Sequence, residues 1–126
     1  MICDWAMLCH DIEPYKQSGG LSIIGVFTRL LVDRLPGTVN PLQLAVRLSG
    51  AKDETGTCAI AVLDPDGNTL KKMPDEKIHL RYGVADFSAP LAPLSIKKIG
   101  MHVVTIAVDG IEVKRVLMPV EIVHVT

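Results

Sequence analysis

The run Gly19-Gly20-Leu21-Ser22-Ile23-Ile24-Gly25-Val26-Phe27-Thr28-Arg29-Leu30-Leu31-Val32-Asp33 is the longest nearly continuous apolar stretch in the sequence, and Pro36-Gly37 follows soon after. At a period of two, Leu21, Ile23, Gly25, Phe27 and Leu31 share one face with Arg29, while Ser22, Ile24, Val26, Thr28, Leu30 and Val32 share the other. A segment apolar on both faces reads as a central strand covered on both sides. Ile23, Ile24, Val26, Thr28 and Val32 are β-branched, and Gly25 in mid-run suits a bulge or a close backbone approach rather than a helix.

Shorter segments repeat the pattern. Ile2 to Cys9 alternates, with Cys3, Trp5, Met7 and Cys9 on the face expected in the core. Leu42, Leu44, Val46 and Leu48 alternate with Gln43, Ala45, Arg47 and Ser49, as in an antiparallel sheet wet on one side. Cys58, Ile60 and Val62 oppose Ala59, Ala61 and Leu63. Asp64-Pro65-Asp66-Gly67-Asn68 is a tight turn: Pro65 presets φ and Gly67 accepts a positive one. A short return through Thr69-Leu70-Lys71 follows. Ile78, Leu80 and Tyr82 alternate, with Tyr82-Gly83 read as a bulge. Val104, Ile106 and Val108 meet Ile111 and Val113 across Asp109-Gly110, a dipeptide suited to a type I′ hairpin, which would set 106 opposite 113. Pro119 places the return strand at an edge or a bulge. No helix or internal repeat is readable.

With 126 residues the chain is expected to form a single domain, 1–126. The fold class expected is all-β, an immunoglobulin-like β-sandwich of about eight or nine short antiparallel strands. A chain of this length buries enough surface to fold without a disulfide or a metal.

Charge and composition narrow the function classes. Thirteen Lys+Arg against fourteen Asp+Glu give a net charge of −1, so nothing draws the chain to nucleic acid or an anionic membrane. Trp5, Tyr15, Phe27, Tyr82 and Phe87 are scattered and make no stacking platform. No stretch approaches the roughly 18 apolar residues of a membrane span, and no basic n-region opens the sequence. The expected setting is the cytoplasm, where Cys3, Cys9 and Cys58 stay thiols. Mean hydropathy is +0.33, high enough to expect apolar surface covered by a partner.

Cys3-Asp4-x-Ala6, Gly20-Leu21-x-Ile23-Ile24-Gly25-x-Phe27 and Val62-Leu63-Asp64-Pro65-Asp66-Gly67 resemble a bacterial family of small single-domain proteins of unknown function. That resemblance spans most of the chain. It implies one β-sandwich domain in a bacterial or phage setting, and brings no activity, cofactor or catalytic residue with it.

Reactive groups are few. Cys9-His10-Asp11 suggests a thiol enzyme, but neighbours on a strand point to opposite faces. His10, His79, His102 and His124 lack zinc spacings. Asp64, Asp66 and Asn68 offer calcium-like oxygens, but the position matching the twelfth of an EF-hand is Asp75, and a third acid would have to come from Asp53 or Asp109. Lys97-Lys98 and Lys114-Arg115 read as solvated edge charges. Asp4 is expected to cap backbone N–H groups or pair with Arg29.

The expected function is therefore a non-catalytic protein-binding or self-assembly module without a cofactor, whose partner is another protein or a second copy. Strand addition at the C-terminal edge is the expected mode, with Val120, Ile122, Val123 and Val125 as interface candidates. The alternatives are a small-ligand or calcium-dependent binding domain using the Asp64–Asn68 loop, and a phage structural or accessory protein.

Overall fold

Glycines and prolines cut the alternating segments into more strands than their periodicity suggests. The computed structural model describes residues 1–14 and 20–123. Among these residues there are thirteen strands and no helix. The first seven are β1 (Ile2–Cys9), β2 (Asp11–Pro14), β3 (Leu21–Ile24), β4 (Leu30–Val32), β5 (Gly37–Val39), β6 (Gln43–Ser49) and β7 (Glu54–Leu63). The rest are β8 (Thr69–Lys72), β9 (Glu76–Leu80), β10 (Val84–Pro90), β11 (Leu94–Ile96), β12 (Gly100–Val108) and β13 (Ile111–Ile122). Having no helix, the described residues include none long and apolar enough to cross a membrane.

Two sheets hold the core. One is three-stranded, in the order β1-β6-β10; the other is six-stranded, running β4-β13-β12-β7-β8, with β9 pairing further along β7. β2 with β3, and β5 with β11, form small antiparallel pairs. Leu44, Val46 and Leu48 of β6 join Cys58, Ile60 and Val62 of β7 and Val104, Ile106 and Val108 of β12 in one buried cluster. The alternation read for these three segments is the one observed, except that Ala45, read on the wet face of β6, is fully buried.

The apolar run is not a central strand. Gly25 takes a φ of +71°, and a Cβ there would stand 2.7 Å from the His10 ring. The His10 N–H donates to the carbonyls of Ile24 and Gly25. Only glycine enters this conformation at so close an approach, and the ladder stops there. β3 pairs with β2, while β4 crosses to β13 and runs parallel to it. The expectation of antiparallel strands throughout is corrected at that pair. Gly19 itself lies outside the described residues, as does Tyr15.

Trp5 is also corrected. A bulge between Cys3 and Trp5 inserts Asp4, so Cys3 pairs with Leu48 but Trp5 pairs with Arg47. One extra residue exchanges the faces beyond it, so Ala6 and Leu8 point inward and Trp5 outward. The Arg47 guanidinium lies 5.5 Å from the Trp5 ring centroid and grips Asp86 at 2.6 and 2.8 Å. Asp4 accepts a hydrogen bond from Ser49 Oγ at 2.7 Å, whereas Arg29 pairs with Glu121 at 3.3 Å, so the two do not meet.

The Arg47 hydrogen bond holds the Asp86 carboxyl below the usual carboxylate range. A depressed folded-state value means stability that is present above the unfolded pKa and lost as pH falls through the folded one. Asp86→Asn should therefore be less stable than the parent near neutrality, and the gap should close as acid protonates Asp86 in the parent. Urea melts of both proteins across the acid range check this; a gap independent of pH would refute it.

At Asp109-Gly110 both residues have positive φ, 50° and 82°, as a type I′ turn requires. A bulge between Ile106 and Ala107 sets Ile106 opposite Lys114 rather than Val113. Tyr82-Gly83 is not a bulge within a strand but part of the turn from β9 to β10, closed by the Gly83 N–H donating to Leu80.

Candidate functional site

Because β12 and β13 alternate, the face of the six-stranded sheet opposite the core is set by the odd-numbered positions of β12 and, past the bulge at Val113, of β13. The cross-strand row Leu63–Val103–Leu117 is followed by Met101 beside Pro119, and Leu31 of β4 lies beside Glu121. Leu117 is 57 %, Leu31 51 % and Met101 46 % exposed. Charges of both signs surround these side chains. Arg115 pairs with Glu112 at 2.9 Å, and Arg29 with Glu121 at 3.3 Å. This is a contiguous apolar sheet face, not a scatter of single residues.

The expected interface residues are placed differently. Val120 is 2 % exposed and belongs to the core; Ile122 packs against it. The backbone edge at 120–122 is already taken by β4, and the Val123 N–H donates to Val32 at 2.8 Å. Pro119 carries no N–H, and the parallel ladder with β4 begins directly after it. The C-terminal edge is thus closed to strand addition over this stretch. Val123 is exposed, and Val125 lies outside the described residues. The expectation from sequence groups Val120 and Ile122 with Val123 and Val125 and so does not separate the faces of β13, because which parity faces the core depends on the opposing sheet.

The Asp64–Asn68 loop is a self-satisfied turn. Asp64 Oδ1 accepts from the N–H groups of Asp66 and Asn68, both at 2.9 Å. These bonds, that from Asn68 foremost, hold the Asp64 carboxyl low. The Lys98 ammonium pairs with Asp66 and stands 3.9 Å from Asp64, where a cation would sit. The proposed third acids are elsewhere: Asp53 pairs with His79 at 3.1 Å, and Asp109 accepts from the Thr57 N–H at 2.9 Å. Calcium takes six to eight oxygens. Among the described residues no group of three or more His, Cys, Asp or Glu could hold a metal.

Cys9 and His10 diverge, although His10 lies in the bend between β1 and β2 and not on a strand as the sequence suggests. Cys9 is buried, its thiol toward the Gln43 carbonyl, whereas the His10 ring lies 4.9 Å from that of Phe27. Burial pushes all three thiols up, Cys58 to about 11. Such a thiol is about one part in ten thousand thiolate at pH 7. In native protein at neutral pH, Cys9 and Cys58 should resist a disulfide reagent and label only on unfolding. Rapid labelling of either would show an activated thiol.

His102, expected at a strand end, is buried within β12 opposite Met118; Nδ1 donates to the Gly100 carbonyl at 3.2 Å, and the buried Nε2 has no hydrogen-bond partner. His124 lies outside the described residues. Concavities lie elsewhere on the described residues, two of them beside strands already named. A broad cleft of about 830 Å³ opens between β4 and β5, lined by His10, Arg29, Asp33 and Arg34 among others. A smaller one, about 270 Å³, lies where β7 and β10 come apart.

Residues 4–121 match the model of a family of unknown function (DUF6941), and the chain belongs to that family. No curated protein matches it. Among solved structures, beta-glucosidase from Listeria innocua in complex with isofagomine is similar at a TM-score of 0.50, with 15 % identity, over 79 % of this chain and 15 % of that one. The same enzyme in complex with glucose gives a TM-score of 0.50 and 14 % identity over 97 % of this chain and 16 % of the enzyme. The chain thus spans about one-sixth of the enzyme's length, and at this identity the likeness is one of fold alone.

Proposed function

We propose that this family member is a non-catalytic, immunoglobulin-like β-sandwich of the bacterial cytoplasm that works by assembling with a second copy of itself. The apolar outer face around Leu63, Val103, Leu117 and Met101 carries the reading. A rim bearing both charge signs, through Glu112–Arg115 and Arg29–Glu121, can complement itself across a twofold axis. The net charge of −1 adds almost no repulsion between copies. Buried thiols with raised pKa values and the separation of Cys9 from His10 support the absence of catalysis. Three free cysteines suit a reducing compartment. The bacterial setting rests on the resemblance of the opening motifs, and glucoside chemistry is not carried over from the similar fold.

Light scattering after size exclusion tests this. The expected result is a mass that rises from one chain toward two with increasing protein concentration. A single-chain mass maintained to high micromolar concentration would overturn it.

A further inference from the structure

The edge of the six-stranded sheet next to β7 is interrupted. β8 pairs with residues 61–63 of β7 and β9 with residues 54–58, and between them Met73-Pro74-Asp75 leaves the ladder. Pro74 has no N–H to donate, so the edge strand cannot run through it; the Met73 N–H still reaches the Ile60 carbonyl at 2.9 Å. Across the gap stands β10, the edge of the other sheet, with Phe87 and Ala89 on its inward face. A break on one side and an edge on the other leave the seam between the sheets open.

The opening is a pocket of about 270 Å³. Cys58 and Ile60 line it from β7, Met73 and Pro74 from the break, and Phe87, Ala89 and Pro90 from β10. Glu76 is the one charged lining residue, and its side chain makes no hydrogen bond or ion pair among the described residues. Asp75 adjoins it. After burial, the carboxylates of Glu76 and Asp75 are among the groups that push the Cys58 thiol up, and no cation is among the influences on it. The pocket is apolar within, Glu76 carries the one charge of its lining, and the Lys71 ammonium beyond Pro90 is engaged by the carbonyls of Leu91 and Pro93.

We propose that this pocket binds a small amphiphilic cation, a molecule with one ring or a short alkyl chain and an ammonium group, with the apolar part against Ile60, Met73 and Phe87 and the ammonium toward Glu76. An apolar cavity of about 150 Å³ can take up benzene, so this one holds a ring and a short chain. Met73 adapts its unbranched side chain to the occupant, and the Phe87 ring attracts a nearby cation. An anion of the same shape meets Glu76 and Asp75 as like charges. The site is independent of the outer sheet face and does not require self-assembly.

The test is an NMR titration of methyl-labelled protein with three probes of similar shape: 2-phenylethylammonium, ethylbenzene and 3-phenylpropionate. Saturable shifts confined to Ile60, Met73 and Ala89 are expected, strongest for the ammonium, weaker for ethylbenzene and absent for the carboxylate. Glu76→Gln keeps the shape and removes the charge; it should weaken ammonium binding about three- to fivefold and leave ethylbenzene unchanged. Ala89→Leu fills the pocket and should abolish binding of all probes; if that variant does not fold, Glu76→Gln still decides. The proposal fails if no probe moves these methyls at millimolar concentration, or if the carboxylate binds as well as the ammonium. It also fails if the methyls shift with protein concentration alone, which would make the pocket a seat for a second copy.

Discussion

Leu44→Ala should lower the stability of the protein by about 3 kcal/mol, a large loss for a side chain that does not itself line a proposed binding surface. Leu44 lies on the middle strand of the three-stranded sheet, between Leu8 of β1 and Ala89 of β10, and has no exposure. Removing its branched end sacrifices the transfer free energy of those atoms and leaves a cavity that flanking strands, fixed by their ladders, cannot close. For a domain of this size, that loss corresponds to a melting temperature lower by roughly 10 °C. Ile111→Ala is the contrast. Ile111 is 71 % exposed beside the hairpin turn, and its truncation should change stability by less than about 0.5 kcal/mol. Differential scanning calorimetry of the two variants beside the parent decides. Similar small shifts for both would mean that the interior is not built around β6.

Local chemistry was legible where a residue's own backbone decided the outcome. The Asp64–Asn68 turn and the Asp109-Gly110 hairpin depend on Pro65, Gly67 and Gly110, and they fold as their types predict. The alternation of β6, β7 and β12 was equally readable, since each strand keeps its period over its own length. Parity failed at Trp5 because one inserted residue, Asp4, exchanges inside and outside without altering the hydrophobic pattern that announces them. The run from Gly19 to Asp33 failed for a related reason. Gly25 turns the chain between two different sheets, and of the run's apolar residues Leu30 and Val32 are buried while Ile24, Val26 and Leu31 stay exposed. The parallel pairing of β4 with β13 joins residues about ninety positions apart, and no local signal encodes it. That pairing closes the edge that the C-terminal sequence, read alone, leaves open. The candidate interface was not legible: Leu117 and Val120 differ in parity, but only the opposing sheet shows which of them water reaches.

Leu117→Glu tests whether the exposed member of that pair is the one that matters. Leu117 ends the row Leu63–Val103–Leu117 and is the most exposed of the three, so a carboxylate there should leave the isolated fold intact. In a dimer closed by a twofold axis each copy brings its own introduced carboxylate to the interface. A central apolar anchor is worth about 2 kcal/mol, and two copies of the loss weaken association about a thousandfold. Sedimentation of Leu117→Glu should show a monomer at concentrations where the parent is dimeric, with nearly the same melting temperature. Ile122→Lys should behave in the opposite way, because Ile122 packs against the core beside β4; its melting temperature should fall whatever its state of assembly. If Ile122→Lys instead dissociates a fully stable protein while Leu117→Glu remains dimeric, the partner docks along the C-terminal edge and not on the sheet face. The pair of variants separates the two geometries because one substitution disturbs a surface and the other a core.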